Sequence, residues 1–169
     1  MPTPAVKIRR ATRRDRSAVL ALHRALYVDM RSSITSPELA RLAAYRDLDA
    51  ALAADVDALL TRPEMRVLLA ERGSEVVGYA TARVVRDENR VISTRGLVED
   101  WLVVPHARGR GVGRMLMERL FEVLEADGCG MVESSTLASN EGARTAHARM
   151  GFVETDVRMR RALGRGDER

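Results

Sequence analysis

The chain opens on an alternation of apolar and charged residues, Val6-Lys7-Ile8-Arg9, that predicts a short strand, and then changes period. Thr12 or Asp15 marks a helix start, after which Val19, Leu20, Leu22, Leu26 and Tyr27 recur at helical spacing. Ser36-Pro37-Glu38 marks a second start, with a capping hydroxyl, a first-turn proline and an acid at the positive helix end. Leu39, Leu42, Leu48, Leu52, Val56 and Leu59 carry that pattern to about Thr61, with room for a break. The period then shortens to two. Arg66 to Glu71 and Glu75 to Val85 flank Gly73-Ser74 and predict a hairpin, and Leu97 to Val104 reads as a strand stopped by Pro105. Gly111 to Ala126 is predicted as an amphipathic helix with Val112, Met115, Leu116, Leu120, Val123 and Leu124 on one face. A strand over Cys129 to Leu137, a short helix over Asn140 to Met150 and a strand–turn–strand over Phe152 to Leu163 complete the pattern.

This order predicts an α/β fold: one mixed sheet of six to seven strands with flanking helices, and a strand–loop–helix–strand unit at its centre. The length of 169 residues suits a single domain, placed at residues 1–163 with a polar tail at 164–169. Composition changes the picture little. With 46% hydrophobic and 31% charged residues the chain is globular rather than disordered. No apolar run approaches the ~20 residues of a membrane span, so no membrane partner is expected. Met1 to Arg10 lacks the apolar core of a signal peptide, and Cys129 is the only cysteine, which fits a reducing cytoplasm. Lys7 is the only lysine among 28 basic residues, a usage that points to a GC-rich bacterial source. The net charge of +4 is spread without a basic run, and the aromatics (4%) do not alternate with it. A nucleic acid is therefore not an expected partner, and the charge points weakly to an anionic ligand.

The chemistry lies in one loop. Gly109, Gly111 and Gly113 sit between a β-branched strand and an amphipathic helix, interleaved with Arg108, Arg110 and Arg114. Glycines admit a ligand close to the backbone, and successive N–H groups converge at a positive helix end, forming a cradle for phosphate or pyrophosphate. A Walker loop would need lysine and a hydroxyl residue where Arg114 and Met115 stand, and a dinucleotide fingerprint would need glycine or alanine at 114. Neither fits. The spacing Arg-x-x-Gly-x-Gly from Arg108 to Gly113 instead resembles the acyl-CoA loop of the GCN5-related N-acetyltransferase (GNAT) superfamily. A second block, Asn140, Ala143, His147 and Gly151-Phe152, is similar to that family's second signature, with histidine where the family has tyrosine. Ile8-Arg9-Arg10-Ala11 with Asp15 resembles the family's opening strand and helix.

The resemblance implies an acyl-CoA N-acyltransferase fold in which the strand before the loop splays from its central parallel neighbour. It implies acetyl-CoA as cofactor, with pantetheine paired to backbone groups of Leu102, Val103 and Val104. The pyrophosphate would rest on Gly109, Arg110, Gly111, Val112, Gly113 and Arg114, led by Arg108, and Asn140 would bond the pantetheine arm. An amide near Trp101 would polarise the thioester carbonyl, and acetyl would pass directly to an amine. Glu99, nine residues before Arg108, is the candidate base. Strand alternation puts it on the face of Leu97 and Trp101, opposite Asp100. His147 would stand in for the tyrosine that protonates the departing thiolate. Against these stand a solvated strand-edge acid and a structural histidine. His23 and His106 have no metal-ligand company, so no metal is expected, and Cys129 reads as a small buried residue. Residues Tyr27 to Thr61 and Val85 to Gly96 are expected on the acceptor side. The activity implied is acetylation of a primary amine on a small cationic molecule. Acetylation of a peptide N-terminus or lysine, or a non-catalytic acyl-CoA-binding module, are the alternatives, and a homodimer is compatible with either.

Overall fold

A computed structural model describes residues 5–161 apart from Thr35 and Ala43. In chain order it contains β1 (Val6–Arg10), a 3-10 turn (Arg13–Asp15), α1 (Arg16–Ser32), α2 (Pro37–Leu42), α3 (Leu48–Thr61), β2 (Met65–Arg72), β3 (Glu75–Arg86) and β4 (Thr94–Val103). A second 3-10 turn (Pro105–Ala107), α4 (Val112–Ala126), β5 (Met131–Ser134) and α5 (Glu141–Arg149) follow. The sheet has the order β1-β2-β3-β4-β5, antiparallel except for the parallel pair β4–β5. The helical stretch expected from Leu39 to Leu59 is two helices, because Asp47 caps α3 by accepting from the Ala50 N–H at 3.0 Å. The side chains of Leu39 and Leu42 lie outside the described residues.

Alternation along the strands gives the sheet two apolar faces. Leu68, Ala80, Ala82 and Val98 pack with Leu116, Leu120 and Leu124 of α4 on one face. Leu69, Tyr79 and Leu102 pack with Val19 and Leu22 of α1 and Val56 of α3 on the other. The strands β3 and β4 approach closely at Gly78, where a Cβ would lie 2.7 Å from the Leu102 carbonyl oxygen. One irregularity interrupts β4. Thr81 pairs with Asp100 but Ala82 pairs with Val98, so Glu99 is an extra residue in that strand, a β-bulge.

The parallel ladder between β4 and β5 runs only from Arg95↔Met131 to Val98↔Ser134, whereas β4 continues to Val103. The two strands therefore diverge, leaving a gap beside residues 99–103. The splay is the one expected, but two expectations need correction. The described sheet has five strands rather than six or seven, which leaves β5 at its edge. The strand–turn–strand expected from Phe152 is irregular chain through Arg161. Its apolar residues Val153, Val157 and Met159 are 82%, 82% and 88% exposed, so they bury nothing that would offset the entropy of ordering them. Residues 162–169, including Leu163 and the tail, lie outside the described residues. Among the described residues, no helix is long and apolar enough to cross a membrane.

The first turn is fixed electrostatically. The Asp15 carboxylate accepts from both terminal nitrogens of Arg9 (2.9 and 2.7 Å) and from the N–H and hydroxyl of Thr12 (2.7 and 2.9 Å). The Arg9 guanidinium, together with Thr12, holds the Asp15 carboxyl well below the usual carboxylate range. Because the folded state depresses it, the stabilisation is fully present above about pH 4 and is lost as pH falls below that. Asp15→Asn is expected to melt about 3–6 °C below wild type at pH 7, the effect of roughly 1–2 kcal/mol. The difference should hold at pH 5, narrow as pH falls below about 4 and close only at the depressed folded value, which thermal unfolding followed by circular dichroism at pH 7, 4 and 2 would check.

Candidate active site

The loop between β4 and α4 bends through two left-handed glycines, Gly109 (φ 74°) and Gly111 (φ 78°). A Cβ at either would meet nothing within 4 Å, so the space in front of the backbone is open. Gly111 is the N-cap of α4, and no side chain caps that end. The first-turn N–H groups thus face the open loop at the positive end of the helix. Gly113 serves packing instead, since a Cβ there would lie 3.3 Å from the Trp101 Nε1 and 3.5 Å from the Val103 Cγ2. Its small size lets α4 seat against β4. Arg108 braces the loop from behind, with Nε donating to the Val103 carbonyl at 2.8 Å and an Nη reaching Asp29 of α1 at 3.3 Å. Arg114 pairs with Glu118 along the exposed helix face, and Arg110 is exposed.

The loop opens on the gap between β4 and β5. The Val104 N–H donates to the Val77 carbonyl and the Val104 carbonyl accepts from the Ala107 N–H, both at 3.0 Å. Since Val104 faces β3, alternation turns the polar backbone groups of Leu102 toward β3 as well, and those of Trp101 and Val103 toward the gap. Of Leu102, Val103 and Val104, only Val103 turns its backbone groups that way, as Trp101 does, with the Val103 carbonyl accepting from Arg108.

His147 spans the gap where it narrows. Its ring stands edge-on to Trp101 (5.4 Å between centroids) and to Phe152 (5.2 Å). Nδ1 lies 2.7 Å from the Ala143 carbonyl, which can only accept, so Nδ1 carries a proton. In the neutral ring Nε2 then accepts from the Ser134 hydroxyl, 2.8 Å away at the end of β5. Asn140 caps α5 by accepting from the Ala143 N–H at 3.0 Å, which leaves its NH2 as the donor group. Ser134 was invisible from spacing alone, since its value depends on where β5 stops.

The bulge decides where the acids of β4 point. Glu99 is half-exposed and accepts from the Arg83 Nε at 2.8 Å. Arg83 lies between Ala82 and Val84 of the α4 face, and so belongs to the opposite face with Tyr79 and Thr81. The expectation that Glu99 shares a face with Trp101 is therefore corrected, because the extra residue breaks the alternation and turns both Glu99 and Asp100 toward α1 and α3. Asp100 is only 9% exposed. Its Oδ2 accepts from the Thr81 hydroxyl at 2.7 Å, while its N–H donates to the Thr81 Oγ1 at 3.1 Å. Its Oδ1 lies 3.6 Å from His23 Nδ1, which is also 2.9 Å from the Tyr79 hydroxyl, and His23 Nε2 faces Asp55 at 3.7 Å. Burial pushes the Asp100 carboxyl above its usual range, with the nearby His23 ring working against that rise. Burial also pushes the Tyr79 hydroxyl far up, so it stays protonated and acts as a donor. Residue spacing did not link His23 to these groups; the one available signal was Tyr79 and Thr81, two apart on a strand of small and aliphatic neighbours.

Other groups carry less. His106 pairs with Glu75 at 2.9 Å on the surface. The half-buried Cys129 thiol is pushed up by burial and so is a poor nucleophile. Among the described residues, no three His, Cys, Asp or Glu side chains are grouped to hold a metal ion.

Comparison with known proteins agrees with this geometry. The model of the Acetyltransferase (GNAT) family matches residues 25–152. Phosphinothricin N-acetyltransferase of Streptomyces coelicolor is 33% identical over 115 residues, covering 63% of this chain and 66% of that protein. Aminoglycoside N(6')-acetyltransferase type 1 of Stenotrophomonas maltophilia is 33% identical over 84 residues, covering 48% and 55%. The matched part thus spans 66% or less of the length of these curated relatives. Among solved structures, aminoglycoside N-acetyltransferase AAC(6')-Iy in complex with CoA superposes with a TM-score of 0.76 over 96% of this chain and 97% of that one. At 20% identity that likeness establishes the fold.

Proposed function

Because the chain belongs to the GNAT family of acetyltransferases, we propose that it transfers an acetyl group from acetyl-CoA directly to the primary amine of a small molecule. The observation that carries this reading is the open glycine loop at the uncapped start of α4, set beside the gap between β4 and β5. The residues present fit the cofactor. Backbone amides of Gly109, Arg110, Gly111, Val112, Gly113 and Arg114 would hold the pyrophosphate, with Arg108 keeping the loop in place. Backbone groups of Trp101 and Val103, and the NH2 of Asn140, would face the pantetheine arm along the gap, with Leu102 and Val104 anchoring that stretch to β3. When bound, acetyl-CoA supplies an acetyl group activated as a thioester.

The remaining work falls to side chains. An amine attacks only when neutral, so an ammonium must first lose a proton. Glu99, held by Arg83, would meet the ammonium, anchor it by charge and accept its proton directly or through a water. His147, clamped by Trp101 and Phe152, would hold a proton at Nε2 when charged and deliver it toward the leaving sulfur. The acidic face formed by Glu99, Asp100 and Asp55 supports a cationic acceptor. The names of the relatives, phosphinothricin and aminoglycoside acetyltransferases, support a small amino compound of that broad kind. A cytoplasmic place of action belongs to the same reading and rests on the single cysteine.

A panel of small amines assayed by free-thiol release tests the proposal. Wild type is expected to turn over at least one cationic amine. Glu99→Gln and His147→Phe should lower kcat/KM at neutral pH by roughly 10²-fold and 10-fold or more, with acetyl-CoA affinity retained in calorimetry. Binding without turnover of any amine would make the chain a non-catalytic acyl-CoA-binding module. Turnover of peptides alone would move the reading to N-terminal or lysine acetylation.

A further inference from the structure

Asp100, His23, Tyr79 and Thr81 form a largely buried group to which acetyl transfer as proposed assigns no proton-transfer step, only the negative charge of Asp100. A sheet face packed on helices has no structural need for a carboxylate, and burying one is costly unless it is specifically held. This one is held and aimed. Thr81 fixes Oδ2 through its hydroxyl, which leaves Oδ1 turned toward the His23 ring. The two ring nitrogens face opposite ways, Nδ1 toward Asp100 and Tyr79 and Nε2 toward Asp55, whose side chain is 51% exposed. The inner end lies beside the bulge residue Glu99, two residues past the point where β5 leaves β4.

Building on the acetyl-transfer reading, we propose that Asp100 and His23 form the path by which the acceptor amine's proton leaves the site. The balance of the reaction requires such a path. As the new N–C bond forms and the C–S bond breaks, the ammonium gives up two protons in all. One ends on the sulfur that leaves with the bonding electron pair, and the other must reach solvent. An exit past Glu99 to solvent runs into the fixed positive charge of Arg83, 2.8 Å from the carboxylate, so the proton that Glu99 takes from the ammonium moves inward. Asp100 accepts the departing proton and passes it through the Tyr79 hydroxyl to His23 Nδ1, while the ring releases its Nε2 proton toward Asp55 and water. The Tyr79 hydroxyl, 2.9 Å from Nδ1 and bonded to Asp100, is the bridge: it takes the proton from Asp100 as its own proton passes to Nδ1, and so ends the step protonated as it began. Burial, by raising the Asp100 carboxyl, makes it the better acceptor. The titratable groups facing this pair are Asp55 from α3, Tyr79 from β3 and Glu99 from β4.

The test is the pH profile of kcat/KM, from pH 6 to 10, for wild type, His23→Gln and Asp100→Asn with the best amine from the panel. At pH 7 each variant is expected to lose roughly 10- to 100-fold, with acetyl-CoA affinity by calorimetry unchanged. The deficit should shrink to a few-fold by about pH 10, where a primary amine is neutral on its own. A merely structural role would depress the rate equally at every pH, and that result, like the absence of any deficit, overturns the proposal. Asp100→Asn is isosteric and can still accept from Thr81, so it carries the test should His23→Gln fail to fold. A wild type that binds acetyl-CoA yet acetylates no amine would instead remove the acetyl-transfer reading on which the path depends.

Discussion

Gly111→Glu is expected to weaken acetyl-CoA binding by at least a hundredfold, about 2.7 kcal/mol or more, while leaving the sheet and its helices in place. The expectation rests on where the new side chain goes. A Cβ at Gly111 meets no atom within 4 Å, so nothing in the folded chain is displaced. The substitution does impose a left-handed conformation (φ 78°) on a side-chain-bearing residue, which costs about 1 kcal/mol locally. The larger effect is on the ligand. A carboxylate would occupy the space in front of the α4 N-terminus, bonding the amides meant for phosphate and repelling what charge approaches. Gly113 is the poorer choice for this experiment, because a Cβ there already presses on Trp101 and Val103. Loss of affinity through Gly113 would confuse ligand exclusion with movement of the helix. Calorimetry with acetyl-CoA, paired with a melting curve, separates the two. Binding at wild-type strength would mean that the pyrophosphate does not rest on this loop.

The second large effect is expected from a residue on β3, one strand away from the gap. Gly78→Ala should destabilise the protein by about 2–3 kcal/mol, lowering the melting temperature by roughly 5–10 °C. It should also weaken acetyl-CoA binding. The added methyl would sit 2.7 Å from the Leu102 carbonyl oxygen, 3.2 Å from the Leu116 Cδ1 and 3.4 Å from the Val103 Cα. Two of those three atoms are backbone and cannot rotate away, so β3 and β4 must part. They part where Val103 turns its polar groups to the gap. Gly96 offers the control: a Cβ there presses chiefly on the ends of Leu124, a side chain able to change rotamer. Gly96→Ala should therefore cost less and leave binding intact.

What could be read from the chain, and what could not, divides by range. The glycine loop was legible because its chemistry is local: three small residues and a helix start within a few positions express both the bend and the open amides. The helices and the hairpin were legible for the same reason, since periodicity is a short-range signal. The bulge was not. Whether β4 carries one residue more than its partner depends on how Thr81 and Ala82 are presented by β3. That single residue moved Glu99 to the other face. His23 and Asp100 are 77 positions apart in the sequence, and only the packing of α1 on the sheet brings them together. The strands expected after Phe152 failed for the opposite reason. An alternating pattern shows that a segment can pair, while a strand also needs apolar surface to bury, and Val153, Val157 and Met159 bury almost none.

Following β4 outward shows what the extra residue at 99 does to the whole strand. Before it, the even-numbered Gly96 and Val98 look toward α4; after it, the odd-numbered Trp101 and Val103 do. The strand thus switches parity at Glu99, much as a reading frame shifts at an inserted letter. Position 99 is for that reason the place in the strand where a deletion keeps the frame, while further along, past the bulge, a deletion breaks it. Replacing Glu99 alters one exposed charge. Removing it would restore plain alternation, with Asp100 still opposite Thr81 and Trp101 still opposite Ala80, whereas a deletion at Leu102 would turn Val103 to the other face. What the extra residue supplies is the turn that brings two successive carboxylates, Glu99 and Asp100, to one face of the sheet.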